Sequence, residues 1–279
     1  MPSSATSPPV AGGRVLIRRH TLLVRITHWI NVVCILFLLM SGLQIFNATP
    51  ALYVGEKTTF AHPVMSMTAE NSPRGPLGIT QVLGTRFDTT GVLGLSTENG
   101  QLAARGFPAW ITLPSYQDLA TGRRWHFFFA WVFVINGAVY LIASLINRHL
   151  WQDLVPSRAD LRNIGRSIVD HAQLHFEHVR EYNVLQKLAY LIVVVIVLPL
   201  IVLAGMTMSP GLDSAFPWLV HAFGGRQTAR TVHFVVATTI VLFVVLHVVM
   251  VLISGVWNNL RSMITGRYAV EAESEPHAD

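Results

Sequence analysis

The sequence predicts an all-α integral membrane protein: a four-helix bundle with a long outer loop and a short cytoplasmic amphipathic helix. Three observations predict it. The 279 residues are 52% hydrophobic and only 13% charged, with a mean hydropathy of +0.47. Soluble domains run at about 25% charged residues, so a water-soluble enzyme is excluded at once. Second, four stretches lack Asp, Glu, Lys and Arg altogether: Ile26 to Gly55, Trp125 to Asn147, Leu188 to Leu212 and Thr231 to Leu260. Each exceeds the roughly 20 apolar residues that carry a helix across a hydrocarbon core. Third, basic residues cluster unequally around those stretches.

Taken in order, residues 1–17 read as a flexible tail, beginning with a run rich in Ser, Pro and Gly. The apolar run behind it is too long for a cleaved signal segment and reads as a retained first span, about 26–46. The remaining spans are expected at about 125–146, 188–208 and 232–255, within a helical domain of residues 18–267, and residues 268–279 read as a second flexible tail. Twelve Lys and Arg flank the end of the bundle that carries both termini and eight the other, half of those eight in the long loop 47–122. Long loops weigh little in orientation, which sets both termini in the cytoplasm.

The loop 47–122 mixes turn signals (Ser72-Pro73, Gly75-Pro76, Phe107-Pro108) with the aromatics Phe87, Phe107 and Trp110. It reads either as a folded cap that docks a partner or as a plain connector. Between the second and third spans, Ser157 is a plausible N-cap, and Leu161, Ile164 and Ile168 follow helical spacing while Arg158, Arg162 and Arg166 fall on another face. That pattern predicts an amphipathic helix at the membrane surface. His171, His175 and His178 follow at helical spacing; surface histidines are expected there rather than a metal site. Pro199 is expected to kink the third span, which carries no histidine and reads as scaffold.

Ionisable side chains within spans are costly and are functional candidates by default. Four histidines lie in or at the mouths of the spans: His28, His126, His233 and His247. His233 and His247 are 14 residues apart, so they fall about 40° short of four full turns and lie ~21 Å apart along the axis. Both therefore face one side of the helix, near opposite edges of the bilayer. Alternating helix direction then matches His28 in depth with His247, and His126 with His233.

Facing imidazoles in an apolar bundle suit the two axial positions of a haem iron, a ligation that closes the metal to substrate and favours electron transfer. With one cysteine, Cys34, no CxxCH attachment exists, so the haem is non-covalent and b-type. Gly42 lies 14 residues beyond His28, and Gly137 lies 11 beyond His126, each on the histidine face, where a gap would admit the second porphyrin. Arg25 beside one pair, and Arg123, Arg124 and Arg230 beside the other, are suited to haem propionates.

The residues Arg25-Ile26-Thr27-His28-Trp29, Ser41-Gly42, Trp125-His126 and the His233/His247 spacing resemble the prokaryotic cytochrome b561 family, over roughly residues 18–267. The family includes cytochrome b subunits of nickel hydrogenases, formate dehydrogenases and thiosulfate reductases. The resemblance implies two haem b groups, held by His28 with His247 and by His126 with His233, and electron transfer between quinone and a partner oxidoreductase. The long loop and the tail Trp257 to Met263 are most similar to thiosulfate-reductase-type subunits, which implies a periplasmic molybdopterin partner. The expected setting is the bacterial inner (plasma) membrane, with lipid, quinone and an oxidoreductase as partners and no nucleic acid. Quinone-site residues do not carry over. An intramembrane-histidine transporter of a transition metal or protons is the competing class. It predicts acidic or thiol companions for the histidines, and no acid lies in any span. A haem-free anchor is a third reading, but it would not need paired depths.

Overall fold

A computed structural model describes residues 14–147, 155–158, 162, 164–172 and 184–271. The expected spans appear as long helices: α1 (Leu22–Asn47), α2 (Leu119–Ile146), a third span over Val184–Met206, and α8 (Arg226–Ile253). The chain is thus a multi-pass membrane protein. Side chains such as Leu36, Trp131 and Leu242 are more than half exposed on these helices, a surface that only lipid covers favourably.

The first two spans begin where a local side chain satisfies a free amide. Thr21 Oγ1 accepts from the Val24 N–H at the start of α1, and Asp118 Oδ1 accepts from the Thr121 N–H at the start of α2. After Ile164–Ala172 (α3), the third span is built in pieces: α4 (Val184–Ile192), a π-helical turn (Val193–Val197) and α5 (Leu198–Met206). Pro199 sits in the first turn of α5, where its missing N–H costs little. The widened turn before it takes up the irregularity. Two short helices, α6 (Pro210–Ala215) and α7 (Trp218–Ala222), lead into α8. Gly225 at that junction has φ +114°, and a Cβ there would lie 2.4 Å from the Gly55 carbonyl oxygen, so only glycine fits.

The all-α expectation needs correction. Residues 51–105 form strands β2 (Ala51–Leu52), β3 (Met65–Ser72), β4 (Gly75–Val82), β5 (Thr85–Asp88), β6 (Gly94–Glu98) and β7 (Gln101–Arg105). β2 to β5 make an antiparallel sheet in sequence order, and β6 and β7 a hairpin. The physical reason is that a loop of this length must pair its backbone groups, and tight turns such as that joining Ser72 to Gly75 let adjacent segments do so. Phe46, Leu52 and Met67 form its apolar centre, with Phe107 and Phe234 packed against them. Arg105 is wholly buried and organises the end of the segment. It pairs with Glu98 at 2.6 Å and donates to Thr112 Oγ1 and to the carbonyls of Phe107 and Ser115.

The tails also need correction at their inner ends. Arg14–Arg18 (β1) pairs antiparallel with Arg267–Glu271 (β8), so both segments are ordered strands rather than flexible chain. Asn258, in α9 (Val256–Thr265), fixes β8 by exchanging two 2.9 Å bonds with the backbone of Ala269. Within the stretch expected to form the amphipathic helix, α3 covers Ile164–Ala172, with Ile168 and Val169 half exposed. Leu161, His175 and His178, and the side chains of Arg166 and His171, lie outside the described residues.

Two compact units can be distinguished, one drawing on residues 1–29, 137–195 and 241–279 and the other on 30–136 and 196–240. Each predicted histidine pair falls within a single unit.

Candidate functional site

His126 on α2 and His233 on α8 face each other with ring centroids 6.2 Å apart. Two imidazoles bound to opposite sides of one metal, at about 2.0–2.1 Å per bond, would have centroids roughly 6–6.5 Å apart. The spacing therefore fits a shared iron.

Both rings are held by the same two devices. The first is an acceptor on Nδ1. Ser41 Oγ gives its hydrogen to the Phe37 carbonyl at 2.6 Å, which leaves the oxygen to accept from His126 Nδ1–H at 3.1 Å. His233 Nδ1–H donates to the Ile201 carbonyl at 2.9 Å. In both cases the proton is kept on Nδ1 and the Nε2 lone pair is left for a metal. The second device is a glycine at the ring edge. A Cβ on Gly42 would lie 3.3 Å from His126 Cε1, and one on Gly205 would lie 3.2 Å from His233 Cε1. Gly42 thus makes room for the imidazole itself, not only for a porphyrin as the spacing argument had it. Gly137 differs: a Cβ there meets nothing within 4 Å.

Gly205 and Ile201 are the residues that sequence reasoning missed. The third span was read as scaffold because it has no histidine, yet it supplies both grips on His233. The available signal was the glycine in an otherwise bulky apolar run.

His28 on α1 and His247 on α8 form the second pair, with centroids 6.4 Å apart and rings tilted by 57°. Their surroundings are aromatic. Trp29 meets His28 edge-on at 5.4 Å, and Phe243 stacks on His247 at 6.0 Å. His28 Nδ1 is buried and has no hydrogen-bond partner among the described residues. That orphaned nitrogen, 6.4 Å ring spacing and an apolar surround fit a cofactor-binding imidazole better than a satisfied structural one. Arg25 lies a turn before His28, and its Nη2 donates to the Ile264 carbonyl while its Nε is buried and unpaired.

The other predicted arginines are less tightly gathered. Arg124 is exposed, and its charge acts on Asp118, whose carboxyl the Thr121 N–H and hydroxyl hold below its ordinary range. Arg230 donates to the Thr49 carbonyl at 2.5 Å and lies over the Phe46 ring, and Arg123 lies over Phe127. Among the described residues no group of three or more His, Cys, Asp or Glu is disposed to hold a metal ion.

Four apolar spans, together with the family match, make the chain a membrane cytochrome b, a protein of electron transfer. The chain belongs to the prokaryotic cytochrome b561 family, whose model matches residues 19–266. A relative is YedZ1 of Azospira oryzae, a protein named as a protein-methionine-sulfoxide reductase subunit. It is 28% identical over 249 residues, which cover 88% of this chain and 96% of the relative. No solved structure matches the chain.

Proposed function

We propose that this chain is a di-haem b-type cytochrome subunit, passing electrons between the quinone pool and a partner oxidoreductase. The observation that carries the reading is the double pairing: His28 with His247 at 6.4 Å, and His126 with His233 at 6.2 Å. Each couple would hold one non-covalent haem b. The group supplies reversible one-electron exchange at the iron, tuned by its ligands and their hydrogen bonds.

The chain's own residues do the rest. Ser41 and the Ile201 carbonyl keep the protons of His126 and His233 on Nδ1. Gly42 and Gly205 let those rings lie against backbone, and Gly137 leaves space beside its helix. Arg25, Arg124 and Arg230 offer guanidinium partners for carboxylates. The apolar helices would shield the half-buried rings from water, which suits electron transfer.

The setting is a bacterial inner membrane with both termini cytoplasmic, as the basic residues indicate. The partner would lie on the outer face against the strands of residues 51–105 and the turn that follows, where Phe60, Leu83 and Trp110 are each more than three-quarters exposed. The YedZ1 likeness supports a partner that is an oxidoreductase, and we take it to be a periplasmic molybdopterin enzyme.

The test is a reduced-minus-oxidised spectrum with haem quantified on the purified protein. Two b haems per chain are expected. His28→Ala and His247→Ala should each remove one and the same component, and His126→Ala and His233→Ala the other. One haem per chain, or loss of a common component from His28→Ala and His126→Ala, overturns the pairing. An intramembrane transporter would show no b-type spectrum.

A further inference from the structure

Beside the His28 end of α1 the chain forms a pocket of about 360 Å³, lined by Leu16, Arg18, His20, Arg25, Thr265 and Arg267. Three guanidiniums, an imidazole and a hydroxyl converge, and no acidic side chain among the described residues lines it. The strand register makes this arrangement costly. Arg18 lies directly opposite Arg267 in the β1–β8 pair, and like charges in that relation repel. Arg25 is fixed next to them by its bond to the Ile264 carbonyl. An anion between these groups would turn the repulsion into charge-assisted hydrogen bonds.

The pocket opens where polar strands meet a lipid-facing surface. Leu22 and Ile26 flank Arg25 on α1 and are 56% and 50% exposed; Ile264 precedes Thr265 and is 54% exposed. Trp29 and Trp257 are exposed in the same unit, and the Trp29 indole donates to the Met263 carbonyl. Tryptophans of this kind mark the level of lipid headgroups. A basic pocket at that level, beside side chains that acyl chains would cover, has the chemistry of a headgroup site.

We infer that the pocket binds the phosphate headgroup of an acidic phospholipid, with Arg18 and Arg267 as its principal ligands and acyl chains along Leu22, Ile26 and Ile264. This goes beyond the haem reading and does not depend on it. The alternative anion, a propionate of a haem held by His28 and His247, is separated by the test.

The holoprotein in detergent is mixed with equal amounts of phosphatidylglycerol and phosphatidylcholine of the same acyl chains, and retained lipid is measured by native mass spectrometry. Phosphatidylglycerol should be retained about tenfold or more over phosphatidylcholine, since each arginine near a headgroup contributes about fivefold. R18Q/R267Q should bring the ratio close to one, with haem content and the reduced-minus-oxidised spectrum unchanged. R18K/R267K should keep most of the preference. If the double Gln variant does not fold, R18Q and R267Q singly should each lower the ratio severalfold. Equal retention by the parent chain overturns the proposal. So does a ratio that R18Q/R267Q leaves in place, or one that is unmoved while the haem spectrum shifts, which would assign the pocket to a propionate.

Discussion

The His126–His233 pair and the His28–His247 pair have nearly the same ring spacing but very different support. In the first, both Nδ1 atoms have acceptors and both ring edges rest against glycine. In the second, His28 Nδ1 is buried with no partner among the described residues, and the neighbours are aromatic rings. Spacing alone makes a ligand pair possible. Tautomer and ring orientation decide how much of the binding free energy is lost to ordering. One pair is thus preorganised by its surroundings, and the other, if it holds the proposed cofactor, would be ordered only by it.

The largest expected effect is on haem retention. Against an excess of a haem-scavenging apoprotein, the component lost in His126→Ala should leave the parent protein about 10–100-fold more slowly than the one lost in His28→Ala, the range typical of second-shell support. Equal release rates would break the comparison.

Next come the glycines. Gly205→Leu should drive His233 out of position and remove most of its haem, and Gly42→Leu should do the same through His126. Pyridine-haem assays on the two proteins read this directly.

A smaller change is expected from Ser41→Ala. Removing the acceptor makes His126 a weaker donor to oxidised iron. The midpoint of that haem should rise by on the order of 30–60 mV, a tenfold change in equilibrium being about 59 mV for one electron. The other midpoint should stay fixed in the same redox titration. A fall in potential, or an equal shift in both, would contradict the assigned tautomer.

The smallest effect concerns Asp118, which caps the helix carrying His126. Its carboxyl is held below its ordinary value of 3.8, first by the Thr121 N–H and then by the Thr121 hydroxyl. A depressed folded value means the cap's contribution is fully present above the ordinary range and is lost as pH falls through the lowered one. Melting temperature of Asp118→Ala against parent should therefore differ slightly at neutral pH and converge in strong acid.

The sequence made the paired histidines legible because membrane helices have a fixed rise and turn, so residue number converts directly into depth and facing. It made the grips on His233 illegible for the same reason. They come from another helix, through a backbone carbonyl that every residue has and a glycine that has no side chain to read. The sheet in residues 51–105 was hidden differently. Strand β3, MSMTAENS, has little of the β-branched and aromatic content that marks strands, and is extended because β4 lies alongside it across all eight residues. Arg105 likewise looked like one more loop charge, and only folding shows its guanidinium enclosed. The strands at 14–18 and 267–271 were read as tail, since neither has meaning without the other.

The bond between Arg25 and Ile264 joins residues 239 positions apart, and the β1–β8 ladder spans a still longer stretch. Neither forms until the ribosome has made the fourth span. His28 therefore enters the bilayer early and waits through most of synthesis for His247, while an anchoring clasp for its helix is still unmade. A cofactor held by both histidines, as proposed, would thus be loaded only after the fourth span is made.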